Sequence, residues 1–137
     1  MGFKQGILIV IGFSLLSFGL PKNLEKKVNK EITDTFEIEN FDLTSVTIPS
    51  DIEKTLPSRF GEDNLFKIES NKKFVAYAYI SQAASKTALF DYLVLLDSDL
   101  VVIKTKVLIY REEYGGEIGS RRWLKQFIGK TQNDDLK

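Results

Sequence analysis

The sequence predicts an α+β domain, a mainly antiparallel sheet with flanking helices. Three observations carry that reading. Between Leu65 and Tyr110 lie four runs rich in Val, Ile, Phe and Tyr, separated by short polar segments. Ahead of them, Leu24, Val28, Ile32 and Phe36 recur at every fourth position, one face of an amphipathic helix. Behind them, Ser120 precedes an apolar stripe that ends at Gly129, the pattern of a capped second helix.

The chain opens on Lys4 and then runs from Gly6 to Leu20 without a charge. That apolar stretch is long for the core of a signal peptide and short for a membrane span, which needs ~20 residues. Residues 1–20 are therefore read as a signal peptide or a membrane anchor, with Ser17 and Gly19 as the small residues before a cleavage point. Either way the expected location is exported, periplasmic or membrane-anchored and facing outward. Residues 21–137 form the folded domain, and Pro21 breaks the chain before its first helix.

On that helix Lys22, Lys26 and Lys30 fall opposite the apolar face. Two roles stay open for them, contact with lipid phosphates or simple solvation. Phe41, Leu43, Val46 and Ile48 suggest a short strand. Ser50-Asp51-Ile52-Glu53 has capping-box spacing and predicts a brief helix that stops before Pro57, and residues 59–64 read as a loop. The four strands follow as Leu65–Glu69, Lys73–Ser81, Leu89–Leu96 and Leu100–Tyr110. Asp97-Ser98-Asp99 turns the last two into a hairpin. In its second arm Lys104 and Lys106 alternate with Ile103, Thr105, Val107 and Ile109, which predicts one wet face and one packed face. Tyr92 to Leu96 is apolar on both faces, as a strand with neighbours on each side would be.

Composition narrows the chemistry. The chain has 137 residues, 19 basic and 19 acidic, with no His and no Cys. A His or Cys zinc site, a Ser-His-Asp triad and a thiol nucleophile are excluded, and the zero net charge argues against nucleic acid as a partner. Asp97 and Asp99 lack the Gly and bidentate Glu of a calcium loop and read as turn residues. Phe74, Tyr77, Tyr79 and Phe90 are candidates for stacking a ring and, equally, for the core. Nothing pairs Glu112, Glu113 or the lysines at a spacing suited to catalysis.

The richest segment is Tyr110 to Gly129. Gly115, Gly116 and Gly119 permit close approach of a flat ligand, and Arg121 and Arg122 stand in the first turn of a helix, where an anion would relieve their conflict with the helix dipole. Neutralisation by Glu117 or plain solvation would serve as well.

Taken together, Tyr110-Arg111-Glu112-Glu113-Tyr114-Gly115-Gly116-Glu117-Ile118-Gly119-Ser120 and the following Arg121-Arg122-Trp123-Leu124-Lys125-Gln126-Phe127-Ile128-Gly129-Lys130 resemble FMN-binding-domain proteins. Those are exported flavoproteins similar to the flavin-carrying subunits of the Rnf complex and of the sodium-translocating NADH:quinone reductase. The resemblance implies an FMN-binding-domain-like fold and electron transfer at the outer face of the membrane. It also implies cofactor contacts from Glu113, Tyr114, Gly115, Gly116, Ile118 and Gly119. Membrane redox-complex subunits and a flavin transferase are the partners it implies. The family's Ser-Gly-Ala-Thr attachment motif has no counterpart, because no Ser-Gly pair occurs in the chain. The expectation is therefore a C-terminally incomplete member, or one that holds no covalent FMN. A cofactor-free extracytoplasmic binding or structural module on the same scaffold is the alternative.

Overall fold

The computed structural model describes residues 20–56, 60 and 63–134. Residues 1–19 of the leader fall outside them, as do Arg59, Gly61 and Glu62 of the expected loop. Helix α1 (Lys22–Phe36) comes first, followed by strand β1 (Asp42–Ser45) and the single turn α2 (Ser50–Glu53). Strands β2 (Leu65–Ser70), β3 (Lys73–Ala84), β4 (Leu89–Leu96) and β5 (Val102–Ile109) complete the sheet. A 3₁₀ turn (Gly116–Gly119), the short helix α3 (Arg121–Leu124) and a second 3₁₀ turn (Lys125–Phe127) form the C-terminal segment. The α+β class is as the sequence predicts.

The sheet is a five-stranded meander in the order β1-β2-β3-β4-β5, antiparallel throughout. α1 lies across one face. Its fourfold spacing buries Leu24, Val28 and Ile32 against Leu43, Phe66, Ile68, Ala76, Ala78, Ile80, Leu93 and Leu95. Alanines on β3 matter here, because small side chains at the sheet's centre let the helix approach closely. Burying each large aliphatic of this layer stabilises by roughly 1.5–3 kcal/mol. Pro21 occupies the helix N-cap and Glu37, at φ 55°, ends the helix in a left-handed turn.

The expected capping box does not form. Pro49, not Ser50, is the N-cap of α2, and Ser50 already lies inside the turn with no side-chain cap. Pro at that point presets the entry dihedral and leaves the Ser hydroxyl no role there. The β4–β5 turn behaves as read: Asp97 Oδ1 accepts from the amides of Asp99 and Val101, each at 2.9 Å.

The face away from α1 carries linked aromatic rings. Phe60 meets Tyr79 at 4.6 Å, Tyr79 meets Tyr92 at 6.1 Å, and Phe90 lies 6.1 Å from Tyr92 and 6.2 Å from Tyr110. These separations fit tilted and edge-on packing. Phe74 and Tyr77 add a further edge-on pair at 5.0 Å.

Candidate functional site

β5 is a sheet edge, and its side chains depart from the predicted wet-and-dry split. Lys104 and Lys106 point to the α1 side, where Glu31 lies 2.8 Å from the first ammonium and 3.8 Å from the second. Their aliphatic stems cover the margin of the core while the charges reach the helix carboxylate. Residues of the other parity face the C-terminal segment. The Thr105 hydroxyl donates to the Leu124 carbonyl at 3.3 Å, and Val107 packs beneath Gly119. Two register shifts in the β4–β5 pairing accompany this edge, as bulges commonly do.

Between these two walls lies a groove of about 300 Å³. Ile103, Thr105, Leu124 and Ile128 supply its apolar lining, Thr35 and Gly119 border it, and Lys104, Lys106, Arg121 and Lys125 bring cations to it. Residues of both parities on β5 line the same cavity, so the groove straddles the strand's edge rather than either face. Arg121 and Lys125 are exposed and pair with no carboxylate among the described residues. Even with Glu31 and the Lys30–Asp34 pair counted, positive charge is in excess here. Thr35 Oγ1 is buried in the groove wall without a hydrogen-bond partner.

Ser120 caps α3 as the sequence suggests, its hydroxyl accepting from the Trp123 amide at 3.2 Å. The helix is shorter than the apolar stripe implies. It gives way to 3₁₀ geometry at Lys125, and Gly129, at φ 81°, closes the segment. Only Leu124 of the stripe is buried, while Trp123 and Ile128 remain 42% and 53% exposed. The segment instead crosses to the sheet edge. The Gly129 amide donates to the Val102 carbonyl at 2.8 Å, and the Val102 amide donates to Lys130 at 3.0 Å.

Of the residues to which the resemblance assigns flavin contacts, only Gly119 borders the groove. Glu113 and Tyr114 are exposed on the preceding loop, and Gly116 faces open space. Gly115 has another explanation. It sits at φ 75°, and a Cβ there would stand 2.9 Å from the Tyr110 hydroxyl. That hydroxyl donates to the Tyr114 carbonyl at 2.7 Å, folding the loop onto its own strand. Burial, then the nearby Glu112 and Glu117 charges, raise the Tyr110 pKa, so the phenol keeps its proton for this bond. Gly115 is thus accounted for within the fold, by the Tyr110 hydroxyl.

Two polar clusters were hidden from the sequence. The buried Asp91 carboxylate accepts from Gln82 Nε2 at 3.0 Å, and its second oxygen lies 2.6 Å from Arg111 Nη2, an ion pair without hydrogen-bond alignment. Arg111 also donates to the Leu89 carbonyl at 2.9 Å. Glu112 holds the β3–β4 turn through Thr87. Both clusters act within the fold. Among the described residues no group of acidic side chains is arranged to hold a metal, and no helix is long and apolar enough to cross a membrane. No protein-family model, curated protein or solved structure matches the chain.

Proposed function

We propose that this chain is an exported, cofactor-free binding module that receives an anionic ligand in the β5 groove. The observation that carries the reading is the gathering of Lys104, Lys106, Arg121 and Lys125 around one half-open cavity whose charge Glu31 offsets only in part. A cavity at the lower end of the usual 300–1,000 Å³ range suits a small group or part of a longer ligand. The extracytoplasmic address rests on the uncharged leader at residues 6–20.

The second reading, an FMN-binding electron carrier, draws on the same cations, which would suit the FMN phosphate beside Gly119. When bound, FMN would supply the redox chemistry, and the chain's own residues would only hold it. Electron transfer with membrane redox-complex subunits and loading by a flavin transferase belong to this reading alone.

The full chain, produced with its own leader, separates the two. Colourless protein whose added mass is nil, and which binds inorganic phosphate weakly in a salt-sensitive way lost in Arg121→Glu/Lys125→Glu, supports the binding module. Yellow protein, or flavin mass that survives purification, overturns it in favour of the flavoprotein.

A further inference from the structure

The groove has a floor as well as walls, and the floor is polypeptide backbone. Its orientation follows from the ladder. The Ile80 amide donates to Asn64 at 2.8 Å, so Ile80 bonds toward β2 and its neighbours Tyr79 and Ser81 bond toward β4. Tyr79 is opposite Val94 and Ser81 is opposite Tyr92, so those two bond back to β3, leaving Leu93 and Leu95 to bond β5. Their partners there are Lys106 and Lys104. Thr105 and Val107 consequently turn their N–H and C=O groups outward, and neither finds a backbone partner among the described residues.

An unpaired edge normally invites another strand and is normally blunted by charge or cover. This edge already accepts backbone bonds at its lower end, where the turn at Gly129 and Lys130 exchanges them with Val102. Beyond that point the cover lifts. α1 overhangs the edge on one side through Thr35, and the C-terminal segment overhangs it on the other through Gly119, Leu124 and Ile128.

From this arrangement we infer that the groove is a strand-addition site for an extended, acidic segment of a partner polypeptide. The segment pairs its backbone with Thr105 and Val107. Its carboxylates meet Lys104 and Lys106 on one rim and Arg121 and Lys125 on the other, while an apolar side chain settles against Leu124 and the exposed Ile128. Backbone bonds supply affinity in this mode, and the pockets beside the edge supply selectivity. Charge chooses an acidic segment over a basic one, because like charges brought together at these rims are penalised. The inference rests on the groove being the ligand site and adds what the ligand is.

The test uses the full chain and a fluorescein-labelled octapeptide, Glu-Glu-Glu-Val-Glu-Glu-Glu-Val, which in extended form carries Glu on both sides and Val on one. Binding is read by anisotropy beside a Lys/Val peptide, inorganic phosphate and FMN. The Glu/Val peptide is expected to bind and the Lys/Val peptide to fail. Methylating the alternate peptide nitrogens that face the edge should weaken binding at least tenfold, whereas methylating the other set leaves it intact. Arg121→Glu/Lys125→Glu should weaken it at least tenfold with an unchanged circular dichroism spectrum, since both side chains are exposed and pair with no carboxylate among the described residues. Equal response to both methylated sets overturns strand addition. So does binding of phosphate or FMN without binding of the peptide, which leaves the anion groove standing. If none of the four probes binds, the inference and the reading beneath it fall together.

Discussion

Glu112, just past the end of β5, grips Thr87 at the tip of the β3–β4 turn by both its amide, at 2.9 Å, and its hydroxyl. The hydroxyls of Ser85 and Thr87 and the neighbouring amides hold the Glu112 carboxyl below its ordinary value of 4.5. Ser85 has a single hydroxyl proton, and it points at the Ala88 carbonyl at 2.8 Å, so Thr87 is the firmer donor. A hairpin tip is thereby tied to a strand exit that would otherwise fray.

Glu112 therefore makes stability depend on acid. Its folded pKa lies below the unfolded one, so the unfolded chain takes up the proton first as pH falls. The stabilisation is complete above the unfolded value and disappears as pH drops through the folded value. Urea midpoints of wild type and Glu112→Gln should differ at neutral pH and converge below pH 4.5. A gap that stays constant across that window would remove Glu112 from this role.

Asp91 gives a sharper effect with no pH argument. It is 4% exposed and depends on Gln82 and Arg111 for compensation. Arg111→Ala should cost about 2–3 kcal/mol, less than a fully buried pair because Arg111 itself is partly solvated. Adding Asp91→Asn should recover part of that loss by removing the stranded charge. Chemical denaturation of the single and double variants measures both.

The glycine loop offers a test of what its glycines are for. Gly115→Ala places a Cβ at positive φ against the Tyr110 hydroxyl and should cost about 1–2 kcal/mol for the backbone, with the contact in addition. Gly116→Ala, which meets nothing within 4 Å, should cost far less. In a Tyr110→Phe background the Gly115→Ala penalty should shrink, because the obstructing oxygen is gone. An undiminished penalty in that double-mutant cycle would mean that Tyr110 does not explain the glycine.

Glu31 predicts two changes of opposite sign. Its side chain is 12% exposed and faces two ammoniums. Glu31→Ala should lower stability by about 1 kcal/mol, a figure for a pair whose lysines remain partly solvated. The same substitution frees both lysines for the groove and should raise affinity for phosphate and for the Glu/Val peptide. Thermal melts and anisotropy read the two effects separately.

The fold was legible where periodicity and strand composition spoke alone. The spacing of Leu24, Val28 and Ile32 placed α1, and β4 was bounded at Leu89 and Leu96 by its own apolar run. The reading failed where a residue's partner lay far along the chain. Nothing local to Lys104 and Lys106 says that Glu31 awaits them, so a row of lysines read as a wet face. Ser50 shows a local failure of the same kind, since its capping pattern was outbid by the proline before it. The sequence marks Gly115 as special for its backbone, but the reason is the Tyr110 hydroxyl, which the fold brings against it. Of the site itself, Gly119 and Arg121 were visible in advance, and the groove was not, because it exists only where a sheet edge, a helix flank and the C-terminal segment meet.

The strand order has a consequence for how the molecule assembles. Each strand pairs with the one before it in sequence, and short turns join β2 to β5, so the pairing of those four needs only short loop closures. Short-range contacts of this kind favour rapid folding. The exception is α1, which is synthesised first yet reaches across to the last strand through Glu31 and Lys104. That contact joins positions 73 residues apart and depends on β5 having formed. The groove gains its α1 wall, at Thr35, only with that closure, so a chain that has built its sheet but not docked its helix would present the cations on an open edge.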